Sequence, residues 1–220
     1  MLKFVHQAIR DIRNTGSLFP SSPLLAKAMT HTLRSHRGQR RILEVGPGTG
    51  PFTAAILDAL RGRDTFDIVE INPIFCEHLE RRYLTAYRAR HPSIKVNLHA
   101  MPIEEAPLTG EYDFVICGLP FNNFPLALTK AIFDRMFMLM RDGGELTYFE
   151  YVGVRQIKAP FVGTSGRDRL RRFDEFREST HKKHIVTHQL VVANVPPAVA
   201  IRIVKRQGVR ATCSASTKTI

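Results

Sequence analysis

Cysteine is scarce in this chain. Cys76, Cys117 and Cys213 are odd in number and widely spaced, which excludes a disulfide framework and a zinc site and points to a reducing cytoplasm. Long apolar runs are missing too: no window approaches about 18 uninterrupted apolar residues, so no helix is expected to span a bilayer. The opening stretch "MLKFVHQAIRDIR" is charged throughout and lacks both a long apolar centre and a small-residue cleavage site, so it does not read as a secretory signal. No internal repeat is present. Acidic residues thin out towards the end of the chain. From Val152 to Ile220, 14 Lys and Arg face 4 Asp and Glu, a surplus of +10, whereas Met1 to Tyr151 carries only +2 of the total of +12. Such an imbalance suits a polyanionic partner, either nucleic acid or an anionic membrane surface, or else a solvated basic face with no partner.

The 220 residues, 44% of them hydrophobic, suffice for one domain with a sizeable core. Leu2, Val5, Ala8, Ile9 and Ile12 recur at helical spacing, giving a short amphipathic helix before the turn-rich "SLFPSSP". Ser22 and Pro23 are the cap and first residue of a second helix, running to about Ser35. An alternation then sets in. Apolar strands are expected at 41–45, 66–71, 94–100, 112–118 and 144–152, with helices over 51–62, 73–90 and 125–141, the last stopped by Gly143-Gly144. A basic helix around 167–183 precedes 184–195 and 198–206, an antiparallel pair closing around "NVPPA". This order predicts an α/β fold with a mostly parallel seven-stranded sheet, helices on both faces and an antiparallel closing strand. The polar stretch from 207 to 220 reads as a disordered tail.

The first strand runs into "ILEVGPGTG", a glycine-rich turn between a strand and a helix, the context that gives such motifs meaning. Gly46, Gly48 and Gly50 let the backbone bend sharply and let a ligand approach closely. The dinucleotide fingerprint is G-x-G-x-x-G; here the third glycine comes one residue early and Glu44 sits within the strand. The pattern E-x-G-x-G-x-G resembles motif I of the class I S-adenosylmethionine-dependent methyltransferases, whose fold is Rossmann-like. The resemblance implies that Glu44 orients the methionine ammonium, often through water. Glu70, with Ile71 beside it, ends the second strand, where an acid can accept both ribose hydroxyls. By the same resemblance Met101, Ile103 and Glu104 flank the adenine, and Gly118 completes the cofactor set at the fourth strand tip. S-adenosyl-L-homocysteine is the implied product.

The fourth strand ends in "GLPFNNFP", where class I enzymes place the acceptor. Amino methyltransferases acting on adenine or glutamine carry N/D-P-P-Y/F or N-L-P-Y there, the leading side chain accepting a hydrogen bond from the planar amine. In this chain the leading position is Gly118, while Leu119 to Phe121 keep the remainder. From "GSLFPSSPLLAKAM" through "EVGPGTG" and "GLPFNNFP" to "YFEYVGVR", over about residues 1–206, the chain resembles the bacterial phospholipid N-methyltransferases. These methylate phosphatidylethanolamine towards phosphatidylcholine and are distant relatives of the rRNA adenine dimethylases.

The chemistry is consistent with that resemblance. An alkylammonium has a pKa near that of lysine, about 10.4, so the site must desolvate it or supply a base. Methylated products are soft cations that aromatic faces bind. Phe19, Phe121, Phe124, Tyr148 and Tyr151 are candidates for such a cage. Asn122, Asn123 and Tyr148 can hold the amine, and Glu150 or Tyr151 can relay its proton. Arg155, Lys158, Arg167 and Arg169 are candidates for the lipid phosphate or neighbouring anionic headgroups. The organisation expected is a cofactor-lid and membrane-contact region over 1–36, a methyltransferase domain over 37–206 and the tail. The partners expected are an anionic phospholipid surface on the inner face of the cytoplasmic membrane and phosphatidylethanolamine, with no metal and no nucleic acid. Two other readings stay open: an rRNA adenine N6-methyltransferase, and a basic membrane- or RNA-binding module without catalysis.

Overall fold

A computed structural model describes residues 21–121, 124–152 and 164–208. The first amphipathic stretch, all of "VRQIKAPFVG" and most of the tail lie outside the described residues. The described residues begin with helix α1 (Pro23–Met29), for which the Ser22 side chain accepts a hydrogen bond from the Leu25 amide and Pro23 takes the first position. Helix α2 (His31–Ser35) follows. Leu25, Met29 and Leu33 are fully buried, so this part of the expected 1–36 region packs as a layer of the core.

Seven strands alternate with the remaining helices: β1 (Arg41–Val45), α3 (Pro51–Leu57), β2 (Thr65–Val69), α4 (Pro73–Leu79), a π-helical turn (Glu80–Leu84), α5 (Thr85–Arg90), β3 (Lys95–His99), β4 (Tyr112–Cys117), α6 (Leu126–Leu139), β5 (Met140–Tyr151), α7 (Thr164–Lys183), β6 (Ile185–Val191) and β7 (Ala198–Val204). They form one sheet in the order β3-β2-β1-β4-β5-β7-β6. Only β7 runs against the rest, antiparallel to both β5 and β6. The seven-stranded, mostly parallel sheet with an antiparallel closing strand is therefore as the sequence implies.

Strand periodicity divides the core in two. Leu43, Val115, Leu146, Tyr148, Ile201 and Ile203 point to the layer holding α6 and Phe173 of α7. Ile42, Phe114, Ile116, Phe149 and Ala200 point to the layer holding α1, α2 and α3. A buried ion pair pins the start of β1. The Arg40 backbone amide donates to Asp64 at 2.9 Å, its guanidinium closes on the same carboxylate, and the pair is fully buried.

Two local readings change. The helix expected over 125–141 ends at Leu139, and Met140 is already extended. Gly143-Gly144 lie instead within an irregularity of β5, where pairing with β4 jumps from Tyr112↔Met140 to Phe114↔Glu145. A Cβ on Gly144 would lie 2.8 Å from the Tyr112 carbonyl oxygen, which is why a glycine is needed there. The helix expected as one piece over 73–90 contains the π-helical turn at 80–84, which periodicity alone does not reveal.

Candidate active site

In a parallel sheet of this order ligands bind beyond the carboxyl ends of the strands. Four such ends meet here. The turn after β1 continues the ladder, Gly46 donating to the Val69 carbonyl at 2.9 Å. Gly118, after β4, donates to the Val45 carbonyl at 2.8 Å, and Glu70, after β2, donates to the His99 carbonyl at 3.1 Å. Backbone pairing thus holds the glycine turn, Glu70 and the acceptor loop in one register.

The two loops are in contact. Gly46 has φ of +67°, and a Cβ there would lie 2.2 Å from a methyl carbon of Leu119. A Cβ on Gly118 would lie 2.5 Å from the Gly46 carbonyl oxygen. The position that carries Asn or Asp in adenine methyltransferases has no room for any side chain on this backbone. Tyr83 is a further candidate that sequence reasoning missed. It comes from the π-helical turn, and its ring would lie 2.8 Å from a Cβ on Gly50. π-Helical turns are frequent at functional sites, but one sequence without a local signal does not disclose them.

Glu70 is almost fully buried and accepts from the Gly48 amide at 3.1 Å and the Asn72 amide at 2.8 Å. Burial raises its pKa, and these backbone donors pull it back. Each carboxylate oxygen keeps a lone pair for a further donor. Ile71 is half-buried beside it. Glu44 is fully buried on β1; one oxygen accepts from the Thr53 hydroxyl at 2.7 Å and the other, Oε1, has no partner. Burial pushes its pKa up to about 8, and the nearby Glu70 charge adds to the rise. A buried acid with an unpartnered oxygen is costly by itself and fits a cationic donor, which would ionise it. Met101 is half-buried, Ile103 is in the core and Glu104 also has a buried oxygen without a partner. These residues fit the polar and apolar parts of a sulfonium nucleoside: acids for ammonium and hydroxyls, glycines for close backbone approach.

On the acceptor side, Phe121, Phe124 and Tyr148 come together. Phe121 lies against Phe133 at 4.8 Å between ring centroids and meets Phe124 and Tyr148 edge to face at 6.0 Å. All are buried, so in the described residues they form a packed aromatic floor and not a freely exposed cage. The Tyr148 hydroxyl and His181 Nε2 share a hydrogen bond at 3.1 Å. Burial, with Arg177, His188 and His184 nearby, lowers the His181 pKa to about 4 and keeps its ring neutral. Glu150 accepts from Arg177 at 2.9 Å. His181 and Arg177 were not among the sequence candidates; only the packing of α7 brings them in. Tyr151 separates from this group. The alternation of β5 puts it on the opposite face, against Phe149 at 5.2 Å. Phe19, Asn122, Asn123, Arg155 and Lys158 lie outside the described residues, as do the side chains of Arg167 and Arg169, whose backbones belong to α7.

Residues 42–144, a little under half of the chain, match the family model described as "Methyltransferase domain". The O-methyltransferase from Bacillus cereus, solved with S-adenosylhomocysteine, superposes with a TM-score of 0.62 at 16% identity, covering 92% of this chain and 91% of that one. The fold is that of the class I, S-adenosylmethionine-dependent methyltransferases. Among curated relatives, the ornithine lipid N-methyltransferase of Singulisphaera acidiphila is 30% identical over 119 residues, 54% of this chain and 60% of that protein. Ribosomal RNA small subunit methyltransferase A of Nocardia farcinica is 30% identical over 144 residues, 57% of this chain and 46% of that protein. The chain thus spans about half of the length of these two relatives.

Proposed function

We propose that this chain binds S-adenosylmethionine at the Glu44–Gly46–Glu70 site and methylates the primary amine of a membrane phospholipid, phosphatidylethanolamine. The observation that carries the reading is the close approach of Gly118 to the Gly46 carbonyl. It leaves no side-chain amide or carboxylate at the leading position of the acceptor loop, over an apolar floor of Phe121, Phe124 and Tyr148. Such a wall gives a planar nucleobase no side-chain grip there and suits a flexible alkylamine. The ornithine lipid relative supports a lipid amine as the class of acceptor.

Bound S-adenosylmethionine supplies an electrophilic methyl group on a sulfonium and leaves as the neutral thioether. The residues of the chain do the rest. Glu70 fixes the glycine turn through Gly48 and presents its remaining lone pairs. The aromatic floor excludes water, favouring the neutral amine whose lone pair attacks the methyl carbon. Glu150, which accepts from Arg177 at 2.9 Å and lies on the same face of β5 as Tyr148, would take up the proton that the amine nitrogen loses on methylation. Among the described residues no helix is long and apolar enough to cross a membrane.

The similarity to a ribosomal RNA methyltransferase, together with Leu119-Pro120-Phe121, favours rRNA adenine N6-methylation as the second reading. One experiment separates them. Incubated with labelled cofactor and vesicles of phosphatidylethanolamine, vesicles of ornithine lipid, or rRNA, the protein should label phosphatidylethanolamine. Label in ornithine lipid alone would move the acceptor to another lipid amine, and label in rRNA alone would overturn the lipid reading.

A further inference from the structure

We infer that the tip of the β6–β7 hairpin is a bilayer-insertion element that sets the mouth of the site against an anionic lipid surface. The choice of a bilayer as partner rests on the lipid-amine reading above; the surface itself is read from the fold. β6 ends at Val191 and β7 begins at Ala198, so the tip lies at the edge of the sheet where β1, β4 and β5 end and the two site loops meet. Turn tips ordinarily carry Gly, Asn, Asp and Ser. This one exposes Val192 at 68% and Val195 at 76%. Two more exposed apolar residues adjoin it. The Val152 amide donates to the Pro197 carbonyl at 2.7 Å, and the Ser22 amide, two residues before exposed Leu24, donates to the Asn194 side chain at 2.9 Å. Asn194 is buried and donates on to the Pro196 carbonyl at 2.7 Å, so the turn is clamped from within while its valines face outward.

Charge completes the surface. β5 rises from Tyr148 to Glu150 as α7 descends from His181 to Arg177, so the N-terminal half of α7 lies at the same edge. Arg171 and Arg172 are exposed there, Arg171 in loose exposed pairs with Asp168 and Glu175 that a headgroup phosphate can replace. Apolar side chains beside arginines match the acyl boundary and anionic headgroups of a leaflet. Among the described residues, its exposed side chains Leu24, Val152, Val192 and Val195 include no aromatic ring on which bases would stack. Its four side chains fall short of the roughly 800 Å² per partner that a stable dimer buries.

The test uses the full chain and sedimentation with phosphatidylcholine vesicles containing about one quarter phosphatidylglycerol. Val192→Asp/Val195→Asp should lower partitioning by about tenfold or more, with cofactor affinity and melting temperature unchanged. Val192→Ser/Val195→Ser should give a smaller loss in the same direction and decides the matter if the aspartate variant melts early. Wild-type protein that fails to partition, or double variants that partition as wild type does, overturn the proposal. So does a wild-type dimer that the variants convert to monomer with partitioning unchanged, which assigns the tip to a second copy. The methylation readout is separate. Tip-dependent partitioning without label in phosphatidylethanolamine keeps the insertion element and removes the acceptor; labelled lipid with tip-independent partitioning does the reverse.

Discussion

Replacing Glu44 by glutamine probes a fully buried acid of the candidate site. The carboxyl is fully buried with one oxygen satisfied by Thr53 and the other by nothing, and its pKa rises from 4.5 to about 8. In the folded protein it holds its proton through a window in which the unfolded chain has released it. Stability is therefore full below about pH 4.5, falls through the window and levels off above about pH 8. At about 1.4 kcal/mol per pH unit the whole loss is roughly 5 kcal/mol, about 3 kcal/mol of it incurred by pH 7. Glu44→Gln keeps an acceptor for Thr53 and has no proton to lose. Urea unfolding of both proteins from about pH 5 to about pH 9 should show the wild type falling steadily behind the variant. Calorimetry adds an independent arm. On the proposed binding mode a bound ammonium would ionise Glu44, so S-adenosylmethionine should expel up to one proton from the wild type near pH 7, fewer near pH 9, and none attributable to position 44 in the variant. A stability difference that stays flat across the range, with identical proton release, would refute the assignment of a neutral buried acid.

Gly118→Asn should lower both cofactor affinity and stability by about 1–3 kcal/mol or more, because its Cβ meets the Gly46 carbonyl; thermal melts and titration calorimetry check this. Arg40→Met leaves the Asp64 carboxylate buried without its cationic partner and should cost about 3–5 kcal/mol by urea unfolding, while Arg40→Met/Asp64→Asn, which keeps an acceptor for one of the two backbone amides, of residues 40 and 61, that Asp64 holds, should regain part of it. His181 stays neutral in the fold to about pH 4 while the unfolded imidazole protonates near 6.5, so the wild type should lose stability as pH falls through that window. His181→Gln should lose less over the same range in parallel acid titrations followed by circular dichroism.

The order of elements was legible because each carries its own local pattern. Apolar runs such as "YDFVIC" are bounded by glycine and proline, and Ser22-Pro23 and Asn72-Pro73 announce helix starts. That Glu44, Gly46 and Glu70 would lie together was legible, because the motif ties residues close in sequence to the ends of successive strands. Glu44, Gly46 and Glu70 sit together through backbone pairing alone. The acceptor side was less so. Whether Tyr151 shares a face with Tyr148 depends on strand register, and the alternation separates them. His181 and Arg177 reach the site only because a 20-residue helix runs back along β5, a long-range packing fact with no short-range signal. The stop expected at Gly143-Gly144 failed for a related reason: glycines that serve a bulge and glycines that end a helix look alike until pairing with a neighbouring strand is known.

The proposed donor and acceptor sites share a wall, and that has a consequence for selectivity. Gly46 lacks a Cβ where Leu119 packs, and Gly118 lacks one where the Gly46 carbonyl packs, so each glycine makes room for the opposite loop. A side chain that gripped a nucleobase from position 118 would have to push the glycine turn off Glu70, whose Oε2 holds the Gly48 amide. Acquiring that grip and keeping the donor site are therefore opposed on this backbone. The proposed acceptor choice is then one of exclusion: with the gripping position closed, recognition would fall to the apolar floor and to whatever presents an amine along it. A long flexible amine carried by a lipid meets that condition without a side-chain partner at position 118, and a flat base held by its ring edge does not.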